Sequence, residues 1–253
     1  MREHERENEN GIARVTVNAP PLNILTREVL AGVRRELAAL AQEPGLRVVI
    51  LRAEGRHFSA GASVEEHLPP ACDAMIAEFG ETVLAIRDFP LPVVAAVRGR
   101  CLGGGFELVQ AADIVVAAED ALFGQPEIAL GVFPPAACAL LPALAGTALT
   151  AELIFGGESL TAAEAQAAGI VRRVVPGACL DDAAEGLARH IARHSGAALR
   201  SAKRALREAA GAQPSAGIGR ASRIYLDELM RTKDALEGLR AFLEKRRPEW
   251  SDR

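Results

Sequence analysis

Residues 92–134 read PVVAAVRGRCLGGGFELVQAADIVVAAEDALFGQPEIALGVFP, and this stretch carries the clearest structural pattern in the chain. Two short apolar runs in it, Val93–Val97 and Ile114–Ala118, have the length and β-branched composition of buried strands. Between them, the three glycines at 103–105 lead into a segment of helical composition. The order strand, glycine turn, helix and strand predicts an α/β fold.

The alternation of strands and helices extends in both directions from this stretch. Strands are predicted over 12–17, 47–52 and 170–175, and helices from the N-cap Thr26 to Pro44, over 72–88, and after a capping box at Thr161 and Glu164. From about residue 180 the pattern is helical. The sequence therefore predicts an α/β core over residues 1–178 and a helical region over residues 179–253.

The composition is that of a globular protein and argues against a nucleic-acid partner. Of the 253 residues, 49% are hydrophobic and 25% are charged, with a formal net charge of −4. The charge is unevenly distributed, because residues 200–253 hold 13 basic and 8 acidic side chains. We therefore expect an anionic ligand to meet the C-terminal end.

The cysteines and the first residues bear on the compartment. The four cysteines are widely and irregularly spaced and include no CxxC pair, which favours a reduced, cytoplasmic protein. The opening MREHERENEN has no apolar run after its charges, which argues against a secretory signal. The cysteines are Cys72, Cys101, Cys138 and Cys179.

One uncharged stretch, residues 128–151, is long enough to cross a bilayer. Pro134, Pro135 and Pro142 interrupt it, together with two glycines. We therefore predict a buried loop followed by a core helix, and no membrane partner.

The glycine turn does not match the phosphate-binding loops. Phe106 and Glu107 stand where a Walker loop needs Lys and Ser or Thr, and Leu108 stands in place of the third glycine of a dinucleotide fingerprint. The turn does present unobstructed backbone amides, which can stabilise an oxyanion. A second sharp turn at residues 59–63 could supply another donor. An ordinary tight turn is the alternative interpretation of each.

Glu107 and Glu127 both lie in apolar surroundings, in CLGGGFELVQAA and LFGQPEIALGVF. Ionised carboxylates are rarely buried without partners, and a converging pair is suited to general acid and base catalysis. The structural alternatives are that Glu107 caps a helix N-terminus and that Glu127 pairs with an arginine.

His190 and His194 have a metal-like i, i+4 spacing on a predicted helix. The glutamate of an HExxH motif is missing and no third ligand is evident, so a surface pair is predicted and no metal site.

Together with HFSAGAS at 57–63, LTAAEAQAAGIVRRVV at 160–175 and the ending AFLEKRRPEW, residues 92–134 resemble the crotonase superfamily of enoyl-CoA hydratases and isomerases. The resemblance covers nearly the whole chain. It implies a crotonase-like spiral of ββα units, a C-terminal helical trimerisation region, and a homotrimer or a dimer of trimers. It also implies an acyl-CoA thioester as substrate, so that no separate cofactor is expected.

The resemblance carries over to individual residues. It places the two thioester-binding amides on Ala62 and Gly104, and the two hydratase glutamates on Glu107 and Glu127. We assign Glu107 as the base that takes a proton from water and Glu127 as the acid that delivers one. Isomerases of this superfamily usually keep one glutamate or neither. The further candidates for substrate and CoA binding are Arg56, His57, Ala60, Ser63, Gly103, Phe133, Pro134, Phe242 and Lys245.

Two departures from the family pattern lie along the expected acyl pocket. Ser63 replaces the usual acidic residue, and Pro134-Pro-Ala-Ala-Cys138 replaces the glycine-rich PGAGG. In this respect GASVEEH and GQPEIALGVFPP resemble hydratases that act on a cyclic dienoyl thioester, cyclohexa-1,5-diene-1-carbonyl-CoA, in anaerobic aromatic degradation. A general enoyl-CoA hydratase, an isomerase and a non-catalytic binding relative remain as alternatives.

Overall fold

The structure is a computed structural model that describes residues 10–209, 228, 231–234, 237, 241 and 244–251. The strands are β1 (Ile12–Val17), β2 (Val48–Ala53), β3 (Val93–Val97), β4 (Arg100–Leu102), β5 (Ile114–Ala118), β6 (Leu122–Gly124), β7 (Ser159–Thr161) and β8 (Arg173–Val175). The helices are α1 (Arg27–Leu40), α2 (Cys72–Arg87), α3 (Gly104–Gln110), α4 (Pro135–Gly156), α5 (Ala162–Ala167), α6 (Leu180–Ala192) and α7 (Gly196–Ala209).

The main sheet is parallel, with the strand order β1-β2-β3-β5-β8. Its faces follow from the alternation of side chains along each strand. In β2, Val49 and Leu51 join the cluster that includes α1, α2 and α3, whereas Val48 and Ile50 join the cluster that includes Leu187 of α6. The predicted α/β fold is confirmed.

A smaller sheet, β4-β6-β7, lies beside the main one, with β4 and β6 parallel and β7 antiparallel. The sequence did not predict β4, which separates β3 from the glycine triplet. Two of the three glycines lie inside α3 rather than before it, since α3 begins at Gly104. The backbone amide of Gly103 donates to Gly124 O (2.9 Å), which anchors the start of α3 to β6.

The predicted helix caps are present. Thr26 accepts from the amide of Val29 at the start of α1, and Thr161 and Glu164 form the reciprocal capping box of α5. The last strand is shorter than expected, because β8 begins at Arg173 while Ile170 and Val171 are buried in the preceding turn.

Residues 128–151 include an exposed loop, not the buried loop that we expected. Gly131 adopts a left-handed conformation that ends a 3₁₀ turn, and Val132 and Phe133 behind it are exposed. The stretch reaches the core only within α4, which bends at Gly146 (φ +77°). None of the helices in the described part of the chain combines the length and the hydropathy of a membrane-spanning segment.

The last described helix, α7, is held to the core by a partly buried ion pair. Lys203, 6% exposed, donates through Nζ to Asp113 Oδ2 (2.7 Å) and to Leu91 O (2.9 Å). Burial lowers the pKa of Lys203, and the charge of Asp113 opposes that shift. Arg207 also donates to Asp113 (3.0 Å), so one carboxylate organises the contact.

Asp113→Ala is therefore expected to lower the free energy of unfolding by about 3 kcal/mol, because it leaves the Lys203 ammonium buried without its partner. Urea unfolding of both proteins measures the difference. The control is Asp181→Ala, which removes the exposed pair with Arg98 and should cost less than about 1 kcal/mol. Equal losses in the two variants would contradict the role given to Asp113.

Candidate active site

Glu107 is held by the helix that follows the glycine turn. It lies in the first turn of α3 and is 3% exposed. Its Oε1 accepts from the amides of Ala136 (2.8 Å) and Ala137 (2.9 Å), at the N-terminus of α4. The carboxylate thus does cap a helix, but a different helix from its own. The positive end of α4 favours the ionised form.

Glu127 meets the glycine turn from the opposite side. It lies in the 3₁₀ turn Pro126–Leu130 and is partly buried. Its Oε1 lies only 2.7 Å from the position that a Cβ on Gly103 would occupy, so the carboxyl rests against the turn. Within the described ranges, no arginine forms a salt bridge with Glu127. The arginine-partner alternative is therefore not supported in that part of the chain.

Both carboxyls titrate near neutral pH. Burial raises the pKa of Glu107 to about 7, against the lowering effect of the two α4 amides. Burial also raises the pKa of Glu127 to about 7, and the charge of Glu107 raises it further. Because each charge disfavours the other, one proton shared between the two groups is the expected state near pH 7. That state supplies an acid and a base together.

These pKa values predict that Glu107→Gln stabilises the protein above pH 7. The Glu107 carboxyl has a pKa of about 7 in the folded protein, against 4.5 ordinarily. Between these two pH values the folded protein holds a proton that the unfolded chain has released, so the free energy of unfolding falls as the pH rises from 4.5 to 7. The glutamine variant should be more stable by on the order of 2 kcal/mol at pH 8, with the gain vanishing toward pH 4.5. Urea unfolding at pH 8 and pH 5 measures it. A gain of the same size at both pH values would contradict the raised pKa.

The structure brings the two predicted turns together. Leu25 N donates to Gly61 O (2.9 Å) and Ser63 N donates to Leu25 O (3.1 Å), so the amide between them, on Ala62, points the other way. Ala62 N lies 3.2 Å from the position of a Cβ on Gly104. Gly104 is the first residue of α3, where amides have no intrahelical acceptor.

Neither the Ala62 nor the Gly104 amide donates to a backbone carbonyl of the described chain. Two unpaired donors at a glycine turn, beside two carboxyls, form an arrangement that can bind the oxygen of a polarised carbonyl. The absence of side chains at residues 103–105 leaves room for the group to approach.

The turn at residues 59–63 is held by the side chains of Asn23 and Ser59, neither of which was predicted as a site residue. Asn23 is fully buried, and its Nδ2 donates to Glu54 O (2.8 Å) and His57 O (2.8 Å). Ser59 donates through Oγ to Asn23 O (2.7 Å) and accepts from Gly61 N (3.0 Å). A buried polar network of this kind fixes the direction of the following amides.

The family model described as enoyl-CoA hydratase/isomerase matches residues 7–253. This chain belongs to the enoyl-CoA hydratase/isomerase family. Curated relatives of this family member include a cyclohexa-1,5-dienecarbonyl-CoA hydratase from Thauera aromatica, 41% identical over 98% of this chain and 95% of that protein. Another is a 2,3-dehydroadipyl-CoA hydratase from Escherichia coli, 36% identical over 94% of each chain.

Solved structures agree with the family assignment. An enoyl-CoA hydratase from Bacillus anthracis superposes with a TM-score of 0.91 at 33% identity, covering 96% of both chains. The predicted crotonase fold and the predicted hydratase-type enzyme are thus confirmed. The C-terminal trimerisation region remains a prediction, since it concerns contacts between chains.

The remaining candidate residues of this hydratase/isomerase family member lie in different surroundings. Arg56 and His57 line a pocket of about 310 Å³ with Arg100 and Asp120, and this pocket includes neither glutamate. His57 Nδ1 accepts from Arg100 N (3.1 Å), and burial together with the neighbouring arginines lowers the His57 pKa. The pocket therefore presents two guanidinium groups beside a neutral imidazole.

Other candidates are placed by the backbone around the two turns. Ala60 donates to Leu22 O (2.9 Å) and is partly exposed. Ser63 is 3% exposed, and its hydroxyl bonds to Glu65 Oε2 (3.3 Å). The side chain of Ser63 is thus engaged locally, within the turn that follows.

Residues 133 and 134 differ in burial: Phe133 is 62% exposed and Pro134 is buried at the start of α4. Lys245 is exposed, with a φ of +53°. Phe242 lies outside the described residues.

Cys138 is a neighbour of both glutamates that the sequence analysis did not assign. Burial raises the pKa of its thiol, and the charges of Glu107 and Glu127 add to the rise. Cys138 lies one residue beyond the two amides that bind Glu107. The segment 134–138, which departs from the family pattern, therefore borders the carboxyls of Glu107 and Glu127.

The described residues contain no group of three or more potential metal ligands. His190 and His194 are both exposed and face each other edge to face, with ring centroids 6.0 Å apart.

Proposed function

We propose that this protein is a hydro-lyase that adds water to a conjugated acyl-CoA thioester. The observation that carries the proposal is the juxtaposition of two carboxyls, the buried Glu107 and the partly buried Glu127, both with a pKa near 7, and two unpaired backbone amides. Membership of the enoyl-CoA hydratase/isomerase family supports the CoA thioester as substrate.

The amides of Ala62 and Gly104 supply the electrophilic part of the reaction. They hydrogen-bond to the thioester oxygen and bind it more strongly as negative charge develops there. Polarisation of the carbonyl makes the conjugated carbon electrophilic, so that water can add to it. Because one donor belongs to the hydrogen-bonded turn at residues 59–63 and the other to the start of α3, they need little reorganisation during the reaction.

The two carboxyls move the protons. Glu107 is the base, because the α4 amides stabilise its ionised form while the free oxygen accepts a proton from water. Glu127 carries the other proton and delivers it to the α-carbon of the enolate. The hydroxyl of water bonds to the conjugated carbon, the π electrons end in the new C–H bond, and no oxidant or reductant is consumed.

We propose a cyclic dienoyl thioester, cyclohexa-1,5-diene-1-carbonyl-CoA, as the preferred substrate. Two observations support it: the departure from glycine at residues 135–138 beside the carboxyls, and the relative from Thauera aromatica that bears this name. A general enoyl-CoA hydratase is the second candidate, because a relative from Mycobacterium tuberculosis, 36% identical over 98% of this chain, is named a probable enoyl-CoA hydratase.

The test offers purified protein the cyclic dienoyl-CoA and crotonyl-CoA separately and follows water addition by product analysis. The proposal expects kcat/KM to favour the cyclic ester. Fast turnover of crotonyl-CoA without turnover of the cyclic ester would contradict the proposed substrate preference. If neither ester is hydrated, and no other acyl-CoA offered is hydrated either, the hydratase assignment is wrong.

We also propose that CoA binding draws on the basic residues identified from the sequence. Arg56, Lys245 and Phe242 are assigned to the phosphates and adenine, with Phe242 and Lys245 supplied by a neighbouring subunit in a homotrimer or dimer of trimers. Light scattering of the purified protein tests the assembly.

The free cysteines of the described chain agree with the proposed cytoplasmic location.

A further inference from the structure

A buried pair of glutamines lies next to Glu127, with Gln125 in contact with its carboxyl and Gln110 in contact with Gln125. Gln125 is fully buried and Gln110 is 5% exposed. With its amide oriented so that Nε2 faces the Glu127 carboxyl and Oε1 faces Gln110, Gln125 donates through Nε2 to Glu127 Oε1 (3.1 Å) and Oε2 (3.2 Å), and its Oε1 accepts from Gln110 Nε2 (2.8 Å). Gln110 lies in α3, one turn beyond Glu107.

The orientation of the Gln125 amide decides what happens to the Glu127 proton. With Nε2 toward the carboxyl, Gln125 can only donate to the Glu127 oxygens, so it does not accept the carboxyl proton, which stays available for substrate. With the amide reversed, Gln125 Oε1 would accept the carboxyl proton itself. That hydrogen bond would withhold the proton that the reaction delivers to carbon.

We propose that Gln110 is a positioning residue for Glu127, acting through Gln125: its amide donates to Gln125 Oε1 and so prevents that oxygen from turning toward Glu127. This inference rests on the proposed function, in which Glu127 is the acid. Placing a second glutamine here has a cost, because in the described chain Gln110 Oε1 has no hydrogen-bond partner. An apolar side chain of similar size would leave no such unpaired oxygen.

The other titratable groups near Glu127 do not substitute for this arrangement. Glu107 faces it from α3 and Cys138 from α4, and neither is a hydrogen-bond partner of Gln125. Removing the Gln110 amide should therefore free Gln125 to turn, with two consequences. The kcat falls, and the pKa of Glu127 rises, since the reversed amide binds the protonated carboxyl.

The test uses Gln110→Met, which keeps the side-chain length and removes the amide, together with Gln125→Leu and the double variant. We expect Gln110→Met to lower kcat about tenfold, the size of one lost amide–amide hydrogen bond, with little change in KM. The double variant should be no slower than Gln125→Leu alone, because Gln110 acts only through Gln125. Multiplying losses, or an unchanged kcat in Gln110→Met, would overturn the proposal.

A second readout does not depend on turnover. The titration of Glu127 can be followed by NMR with ¹³C-labelled glutamate carboxyls and assigned by its loss in Glu127→Gln. A higher Glu127 pKa in Gln110→Met supports the positioning role even if no acyl-CoA is hydrated. An unchanged titration overturns the role even if the wild-type protein is an active hydratase.

Discussion

Glu107→Gln is expected to lower kcat by about 10²- to 10⁴-fold, the range for loss of a positioned general base. Gln can still accept from the amides of Ala136 and Ala137, so the start of α4 should remain in place. It cannot take a proton from water. Steady-state hydration kinetics give kcat, and calorimetric titration with the hydrated product gives the affinity for the CoA ester, which should change little.

The same substitution should therefore lower kcat and raise the free energy of unfolding above pH 7. This trade-off is expected where activity requires a buried carboxyl that destabilises the fold. Glu119→Gln is the matched control, because Glu119 is exposed in the loop between β5 and β6. It should leave both properties close to those of the wild type. A Glu107→Gln enzyme with wild-type kcat would remove the base from the proposed mechanism.

Gly103→Ala is expected to reduce kcat by about 10²-fold or more, because a small displacement of a catalytic group is costly. The new Cβ would lie 2.7 Å from Glu127 Oε1, and the residue has a φ of +50° that side chains rarely adopt. The carboxyl must move away from the turn, and the neighbouring Gly104 amide shifts with it. Hydration kinetics, normalised to the concentration of folded protein, measure the loss of kcat.

Gly45→Ala separates backbone strain from displacement of the site. Gly45 has a similar left-handed φ of +76°, and a Cβ there would meet nothing within 4 Å. The control should lose about 1 kcal/mol of stability while keeping full activity. If the two variants lost activity equally, the contact between Gly103 and Glu127 would not be the cause.

Much of the candidate site could be predicted because its residues are unusual in their sequence context. Glu107 and Glu127 are noticeable as carboxylates in apolar segments, and the glycines at 103–105 mark a close approach of backbone. The strands of the main sheet were equally clear, since β3 and β5 are continuous apolar runs typical of strands buried on both faces.

Other parts of the site leave little trace in one sequence. The amides that bind Glu107 belong to Ala136 and Ala137, whose side chains say nothing about their backbone donors. Gln110 and Gln125 look like ordinary polar positions until the fold places them in contact. Asn23 belongs to a turn-forming segment, and only its long-range partners reveal that it holds the loop leading to the turn at residues 59–63.

The exposed loop before α4 was mispredicted for a related reason. An apolar stretch favours burial, but burial requires a covering element, and Val132 and Phe133 follow a left-handed glycine that turns the chain outward. Sequence periodicity does not report which elements are available to cover a loop.

The most direct measurement is α-proton exchange in D₂O, with the saturated thioester that matches the accepted substrate, butyryl-CoA or cyclohexanecarbonyl-CoA. Exchange needs the amide pair to stabilise an enolate and Glu127 to move the α-proton, but it does not need a base for water. Deuterium incorporation is expected in the wild type and in Glu107→Gln, with a large loss in Glu127→Gln and Gly103→Ala. Exchange that disappears in Glu107→Gln and persists in Glu127→Gln would contradict this expectation.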